Sequence, residues 1–206
     1  MNHLSKIKTP FLLSIVMFVL CGLVYPLVMT GLSQVFFPTQ ANGSLIYIND
    51  QAVGSRIVGQ TFASGYYMQS RPSAVNYNVY SQEEKNNGKY KGVSSGSNNY
   101  GNSNPDLQIR VKKDLVEFLK KNPSIKQTNI PADLLTASGS GLDPHISTES
   151  AEIQIPRIAK ASGISEDHLR KIVKVHTNEK LLGIFGESTV NVLLVNLEIA
   201  NRLGKF

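Results

Sequence analysis

Cysteine and tryptophan are nearly absent from this chain: its 206 residues contain one Cys, at position 21, and no Trp. A single cysteine excludes any intrachain disulfide and any zinc site built on Cys pairs. Signatures of common enzyme sites are missing as well. There is no G-x-x-x-x-G-K-[ST] phosphate loop, no G-x-S-x-G elbow and no H-E-x-x-H pair. The four histidines, His3, His145, His168 and His176, are scattered, and no nucleophile, base and orienting group come together. The most informative absence is that of charge, because nothing from Phe11 to Phe37 is charged.

What stands there is an apolar run, FLLSIVMFVLCGLVYPLVMTGLSQVFF. A bilayer core about 30 Å thick needs about 20 such residues at helical rise. Each Lys, Arg or Asp at the centre of the span would cost about 2.5–3.5 kcal/mol. Residues 11–37 are therefore read as a transmembrane anchor, 1–10 as a cytoplasmic N-terminus and 38–206 as one extracytoplasmic soluble domain. The run is too long for a cleaved signal and has no A-x-A-like site. Leu20 precedes Cys21, where a lipoprotein signal wants a small residue. Lys6 and Lys8 stand before the run, whereas the next basic residue after it is Arg56, so the positive-inside rule keeps the N-terminus in the cytoplasm.

Pro26 faces the carbonyl of Gly22 and predicts a kink. Gly22, Pro26, Thr30, Gly31, Ser33 and Gln34 cluster in the outer half of the run. A plain tether needs none of them. Small residues let helices approach and polar ones bond across them, so Gly22, Pro26, Gly31 and Gln34 are expected to pack against neighbours in the membrane.

Beyond Pro38 the pattern is that of an α+β protein, a single soluble domain with a small sheet and several helices. SLIYIN (44–49) and SRIVGQ (55–60) read as a hairpin, with a third strand at 65–69. Residues 76–103 are rich in Asn, Ser, Gly and Tyr around a charged insert at 83–91, and form a long flexible loop. Its tyrosines, Tyr77, Tyr80, Tyr90 and Tyr100, offer docking groups for a partner. Asn104 caps a helix that opens with Pro105 and Asp106, and Leu107, Val111, Leu115, Phe118 and Leu119 form its apolar stripe. Ser147 or Thr148 caps a helix running to about Ser162 with Pro156 inside it. Gly163 closes that helix and Ser165 caps the next. A last helix spans about 190–203.

Residues 156–173, PRIAKASGISEDHLRKIV, have the outline of a helix-turn-helix, and the formal net charge is +6. The alternative to be weighed is thus a membrane-anchored DNA-binding regulator. The second helix, however, opens with Glu166 and Asp167. Carboxylates suit a helix N-terminus but repel the phosphates and base edges that a recognition helix must approach. Nucleic acid is therefore not expected as a partner. Asp143-Pro144-His145 is read as a structural turn, and no metal site is expected.

Several blocks in order resemble the C subunit of the Kdp-type potassium-transporting ATPase of bacteria. They are YPL at 25–27, FFPTQANGSLI at 36–46, VGSRIVGQTF at 53–62, RPSA at 71–74 and SNPDL at 103–107. IPADLLTASGSGLDPHIS at 130–147, IQIPRIAKASGIS at 153–165 and VNVLLVNL at 190–197 complete the set. The resemblance implies a non-catalytic subunit in a bacterial cell-membrane complex. Its implied partners are a channel-like potassium-translocating subunit, a P-type ATPase subunit and a small membrane peptide. It also implies a chaperone role that raises the ATP affinity of the ATPase subunit, with potassium as the transported ion. ATP is hydrolysed on the cytoplasmic side while the soluble domain is expected outside, so ATP is expected to act through the ATPase subunit. Loops carry function more often than cores do, which makes Arg71, Ser138, Ser140 and Asp143, in Gly- and hydroxyl-rich family blocks, the candidate partner contacts.

Overall fold

The computed structural model describes residues 3–90 and 92–206; Lys91, the last residue of the charged insert, lies outside the described residues. The described residues divide into two compact units, 3–45 and 46–206.

The charge-free run is helical throughout, as α1 (His3–Val19), a wide π-turn at Leu20–Val24, and α2 (Tyr25–Phe36). Ile7–Phe36, with a mean hydropathy of 2.6, is long and apolar enough to cross a membrane. At 1.5 Å per residue its 30 residues extend about 45 Å. The expected interruption at Pro26 takes the form of the π-turn. Pro26 has no N–H for the Gly22 carbonyl, and the Tyr25 N–H reaches back five residues to the Leu20 carbonyl. A single helical turn, α3 (Pro38–Ala41), follows. The Gln34 and Asn42 side-chain amides bond each other at 3.2 and 3.3 Å.

Strands β1 (Leu45–Ile48) and β2 (Gln51–Ser55) form a hairpin. Its second strand was expected at 55–60 but lies earlier. Asn49 and Asp50 both take positive φ (49° and 62°), the signature of a two-residue type I′ turn, so β2 starts directly after them. The expected strand at 65–69 does not form, and the chain from 56 to 75 is irregular, followed by a 3-10 turn at Asn76–Asn78. The stretch expected to be a bare loop contains α4 (Gln82–Asn86), started by a capping box between Ser81 and Glu84. Helix α5 (Pro105–Lys121) begins as expected, with the Asp106 N–H donating to Asn104 Oδ1 at 2.8 Å.

The core lies in the C-terminal third. Strand β3 (His145–Ser147) leads into α6 (Thr148–Glu152), then α7 (Ile155–Ser162) and α8 (Glu166–Val175). Short strands β4 (Thr177–Asn178) and β5 (Thr189–Asn191) precede α9 (Val192–Arg202). The sheet is antiparallel in the order β3-β5-β4, with Ile146 opposite Val190. Ile146, Ile155, Ile158, Leu169, Val190, Val195 and Ile199 are all buried, and Met68 joins their cluster. The expected single helix ending near Ser162 is two helices. Pro156 cannot donate to the carbonyl of Glu152, so α7 restarts with Pro in its first turn. Ser147, not Thr148, caps α6. Gly163 closes α7 at φ 76°, as expected. Ser165 occupies the N-cap position of α8 without a side-chain bond, and the last helix starts only after β5, capped by Asn191.

Candidate functional site

Three of the expected contact residues come together in one polar corner. It is built from residues 71–77, from the turn 138–145 and from Gly59. Arg71 Nη1 donates to Asp143 Oδ2 at 3.1 Å. Ser73 Oγ donates to the Gly141 carbonyl at 2.6 Å and accepts the Tyr77 N–H at 3.0 Å. The Tyr77 hydroxyl donates to the Arg71 carbonyl at 2.7 Å. Tyr77 is thus turned inward rather than offered to a partner, and burial pushes its pKa up to about 12. Glycine is required at two places. A Cβ on Gly59 would fall 2.5 Å from the Asp143 carbonyl oxygen. Gly141 has φ 67°, and a Cβ there would fall 2.7 Å from the Gly96 oxygen. The loop after α4 is tied to the same turn, since the Gly96 N–H and Ser95 Oγ both donate to the Ser140 carbonyl, at 2.6 and 3.0 Å.

Asp143 is the electrostatic centre of the corner. The His145 side chain, the His145 backbone N–H and the Arg71 guanidinium hold its carboxyl below the usual carboxylate range, with burial opposing them. His145 Nδ1 stands 3.7 Å from Asp143 Oδ1, beyond hydrogen-bond length, so its influence is through charge and dipole. The backbone N–H of His145 makes a direct bond at 3.0 Å, the Asx turn expected of Asp-Pro-His. His145 Nε2 lies 3.4 Å from the Asn178 amide nitrogen and 3.5 Å from that of Asn191. Ser140 is exposed, whereas Ser138 is 3% exposed and lies beyond a partner's reach. The Ser138 hydroxyl and Arg71 Nε are buried without a hydrogen-bond partner.

The chain from 138 to 143 and from 54 to 71 has a structural role that its composition does not announce. Met68 is 1% exposed. Asn196 accepts its N–H (2.7 Å) and donates to its carbonyl (2.8 Å), and Gln154 does the same for Gln69 at 2.8 and 3.1 Å. Two buried side-chain amides thus stand in for the neighbouring strand that this segment lacks. Arg157 completes the clamp by donating to Gln154 Oε1, Asn122 Oδ1 and the carbonyls of Gly65 and Tyr67. Burial lowers its pKa to about 10. Sequence reasoning missed these residues. The signal was an amide on an otherwise apolar face, Asn196 within VNVLLVNLEIA and Gln154 within EIQIP. It also missed Asp133, which accepts the Ser147 N–H (2.8 Å) and the Ser150 hydroxyl (2.5 Å) at the start of α6.

Residues 7–201 match the family model described as the K+-transporting ATPase, c chain, KdpC. A potassium-transporting ATPase KdpC subunit from Clostridium kluyveri is 58% identical over 200 residues, covering 97% of this chain and 95% of the relative. The KdpC subunit of Clostridioides difficile is 56% identical over 206 residues, 98% of this chain and 99% of its own. That of Caldanaerobacter subterraneus is 43% identical over 201 residues, with 98% and 97% covered. The chain belongs to the KdpC family.

The polar corner opens onto a cleft of about 470 Å³ whose walls do not suit a nucleotide. Asp133, Asp143, Glu149 and Glu187 line it against Arg71 and Lys180. Both cations are committed, Arg71 to Asp143 and Lys180 to Glu187 at 3.5 Å. A triphosphate needs uncommitted cations or a run of free backbone N–H groups. A second cleft, of about 450 Å³, has Arg110 as its cation, held by Asp114 at 2.7 Å. The helix-turn-helix lookalike is structural in this chain. Leu169, Ile172 and Val173 of α8 are buried, and Arg170 binds Glu152, Glu166 and Asp167.

Proposed function

We propose that the chain is an accessory, non-hydrolytic subunit of an ATP-driven potassium-uptake complex in the bacterial cell membrane. The match of residues 7–201 to the family carries this reading. Ile7–Phe36 is a membrane span, with the N-terminus in the cytoplasm and residues 46–206 outside. The partners are a channel-like potassium-translocating subunit, a P-type ATPase subunit and a small membrane peptide. Arg71, Ser140 and Asp143 contact the translocating subunit. The Arg71–Asp143 pair is about one quarter exposed on each side, which supports this role. In the membrane, Gly22 and Gly31 supply close-approach surfaces, since a Cβ on Gly31 would meet nothing within 4 Å. Pro26 sets the turn between the half-helices, and Gln34 acts at the outer end.

The chain raises the ATP affinity of the ATPase subunit without holding ATP itself. The cleft walls are carboxylate-rich and their cations paired, which supports an indirect effect on the ATPase subunit rather than a bound nucleotide. The test compares complexes purified with and without this chain. With it, half-saturation by ATP falls at lower concentration; equal values overturn the affinity role. ATP turnover by the purified chain alone overturns its non-hydrolytic assignment. A cysteine in place of exposed Lys174, with Cys21 changed to Ser, labels from outside intact cells; protection there reverses the topology.

A further inference from the structure

Between β4 and β5 the chain makes an excursion that serves no core. Residues 179–188, EKLLGIFGES, project as a closed finger. Ser188 Oγ donates to Glu179 at 2.9 Å, and Lys180 pairs with Glu187 at 3.5 Å. Leu181 and Phe185 then exchange backbone bonds of 2.8 and 3.0 Å. These rungs hold the tip in one shape. At that tip Leu181, Leu182, Ile184 and Phe185 are 70%, 81%, 74% and 62% exposed. Leu182 and Gly183 take positive φ (55° and 73°), the two central positions of a type I′ turn. Asn or Gly is the ordinary choice at the first of them. A leucine there accepts backbone strain to present an apolar side chain to solvent, which points to a role outside the fold.

We propose that this tip docks into an apolar groove of a partner subunit whose rim is basic or rich in hydrogen-bond donors. The inference rests on the subunit reading above and names a second part of its contact surface. Four side chains cannot by themselves supply the about 800 Å² per partner of a stable interface. The face must therefore continue, and beside the tip it continues into the cleft lined by Asp133, Asp143, Glu149 and Glu187. An apolar anchor beside a carboxylate-rich rim fits a protein groove with the opposite rim, the pattern of a buried hot spot ringed by polar contacts. A second copy of this chain would set carboxylates against carboxylates. A lipid surface is disfavoured by the flanks, where Glu179 and Glu187 outnumber Lys180 and that lysine is already paired. Anionic headgroups ask for free cations beside an inserting tip.

The test uses the full-length chain in its complex. Photo-reactive p-benzoylphenylalanine in place of Phe185, after purification through a tag on this chain and irradiation, gives an adduct with one partner subunit. An adduct with lipid or with a second copy, or none, overturns the proposal. Leu182→Asn suits the turn and removes the apolar group. It lowers recovery of the partner subunits about tenfold or more, as expected for a hot spot, with an unchanged circular-dichroism spectrum; undiminished recovery overturns the proposal. The wild-type chain separates the two failures. If it recovers no ATPase subunit, the subunit reading falls and this inference with it. If it does and the variant recovers as much, only the tip's role falls.

Discussion

Residues 145–203 and residues 56–143 are stabilised in different ways. In the C-terminal region the backbone bonds itself in α6–α9 and the three-stranded sheet, while apolar side chains fill the centre. In the earlier region, outside α4 and α5, the backbone is held largely by side chains. Asn196 and Gln154 hold Met68 and Gln69, Ser73 holds Gly141, and the Asn78 amide exchanges bonds with Ser94 at 2.9 and 3.0 Å. Both devices satisfy buried polar groups. The first is local and repeats along the chain, whereas the second is long-range and depends on single residues. Irregular chain can therefore be as fixed as a helix, but it is more easily broken by one substitution to a polar group.

The largest effect that would bear out this contrast is Ile199→Ala. Ile199 is fully buried, and loss of its methylenes and the resulting cavity costs about 2–5 kcal/mol. The melting temperature of the full-length chain in detergent, followed by far-ultraviolet circular dichroism, falls about 2–4 °C per kcal/mol. Val79→Ala, at a half-exposed position in the irregular region, leaves it unchanged; a comparable fall would erase the distinction.

Next comes Asn196→Ala, which strips Met68 of partners for its N–H and carbonyl. Each buried unsatisfied group costs about 1–3 kcal/mol, so a loss of about 2–4 kcal/mol is expected. A melting temperature within 1 °C of wild type, as an order-of-magnitude bound, would mean that the clamp is dispensable.

A smaller effect belongs to Asp143→Asn, at about 1 kcal/mol for a pair that remains partly in water. The folded-state pKa of Asp143 lies below its unfolded value of about 3.9. Its contribution is therefore complete above that value and is lost as pH falls through the folded pKa. The stability gap between wild type and variant is constant from neutral pH to about pH 5, begins to shrink near the unfolded value of about 3.9 and is lost as pH falls through the lower folded-state pKa. A gap that does not shrink at all on acidification below about 3.9 would deny the carboxylate its role.

The smallest effect is that of Ser81→Ala, which breaks the capping box of the exposed helix α4. Global stability changes by about 0.5 kcal/mol or less, while amide exchange at 82–86 accelerates. A global loss above that would show that α4 is part of the cooperative unit.

Much of this was legible beforehand. The long apolar helix, the start of α5 at Asn104 and the αL stop at Gly163 follow from charge, capping and glycine rules that act within a few residues. The strand expected at 65–69 failed for an identifiable reason. GYYMQ has the composition of a strand, but its hydrogen-bond partners are side chains rather than a neighbouring strand. The single helix expected up to Ser162 failed because Pro156 opens a new helix instead of bending an old one. Of the expected contacts, Arg71 and Asp143 meet across 72 residues of sequence, while Ser138 turned out to be buried.

The sequence by itself determined the apolar helix long enough to cross a membrane, the class of the soluble unit and, through ordered blocks, the family. Those signals are local or cumulative, and each survives without knowledge of the others. Only the tertiary structure decided which amides serve the irregular chain, that Asp133 organises the start of α6, and that Leu182 and Phe185 face solvent. An apolar residue in a sequence does not say whether a core or a partner will cover it. Asn196 acquires its meaning only where packing brings it to Met68, 128 positions away.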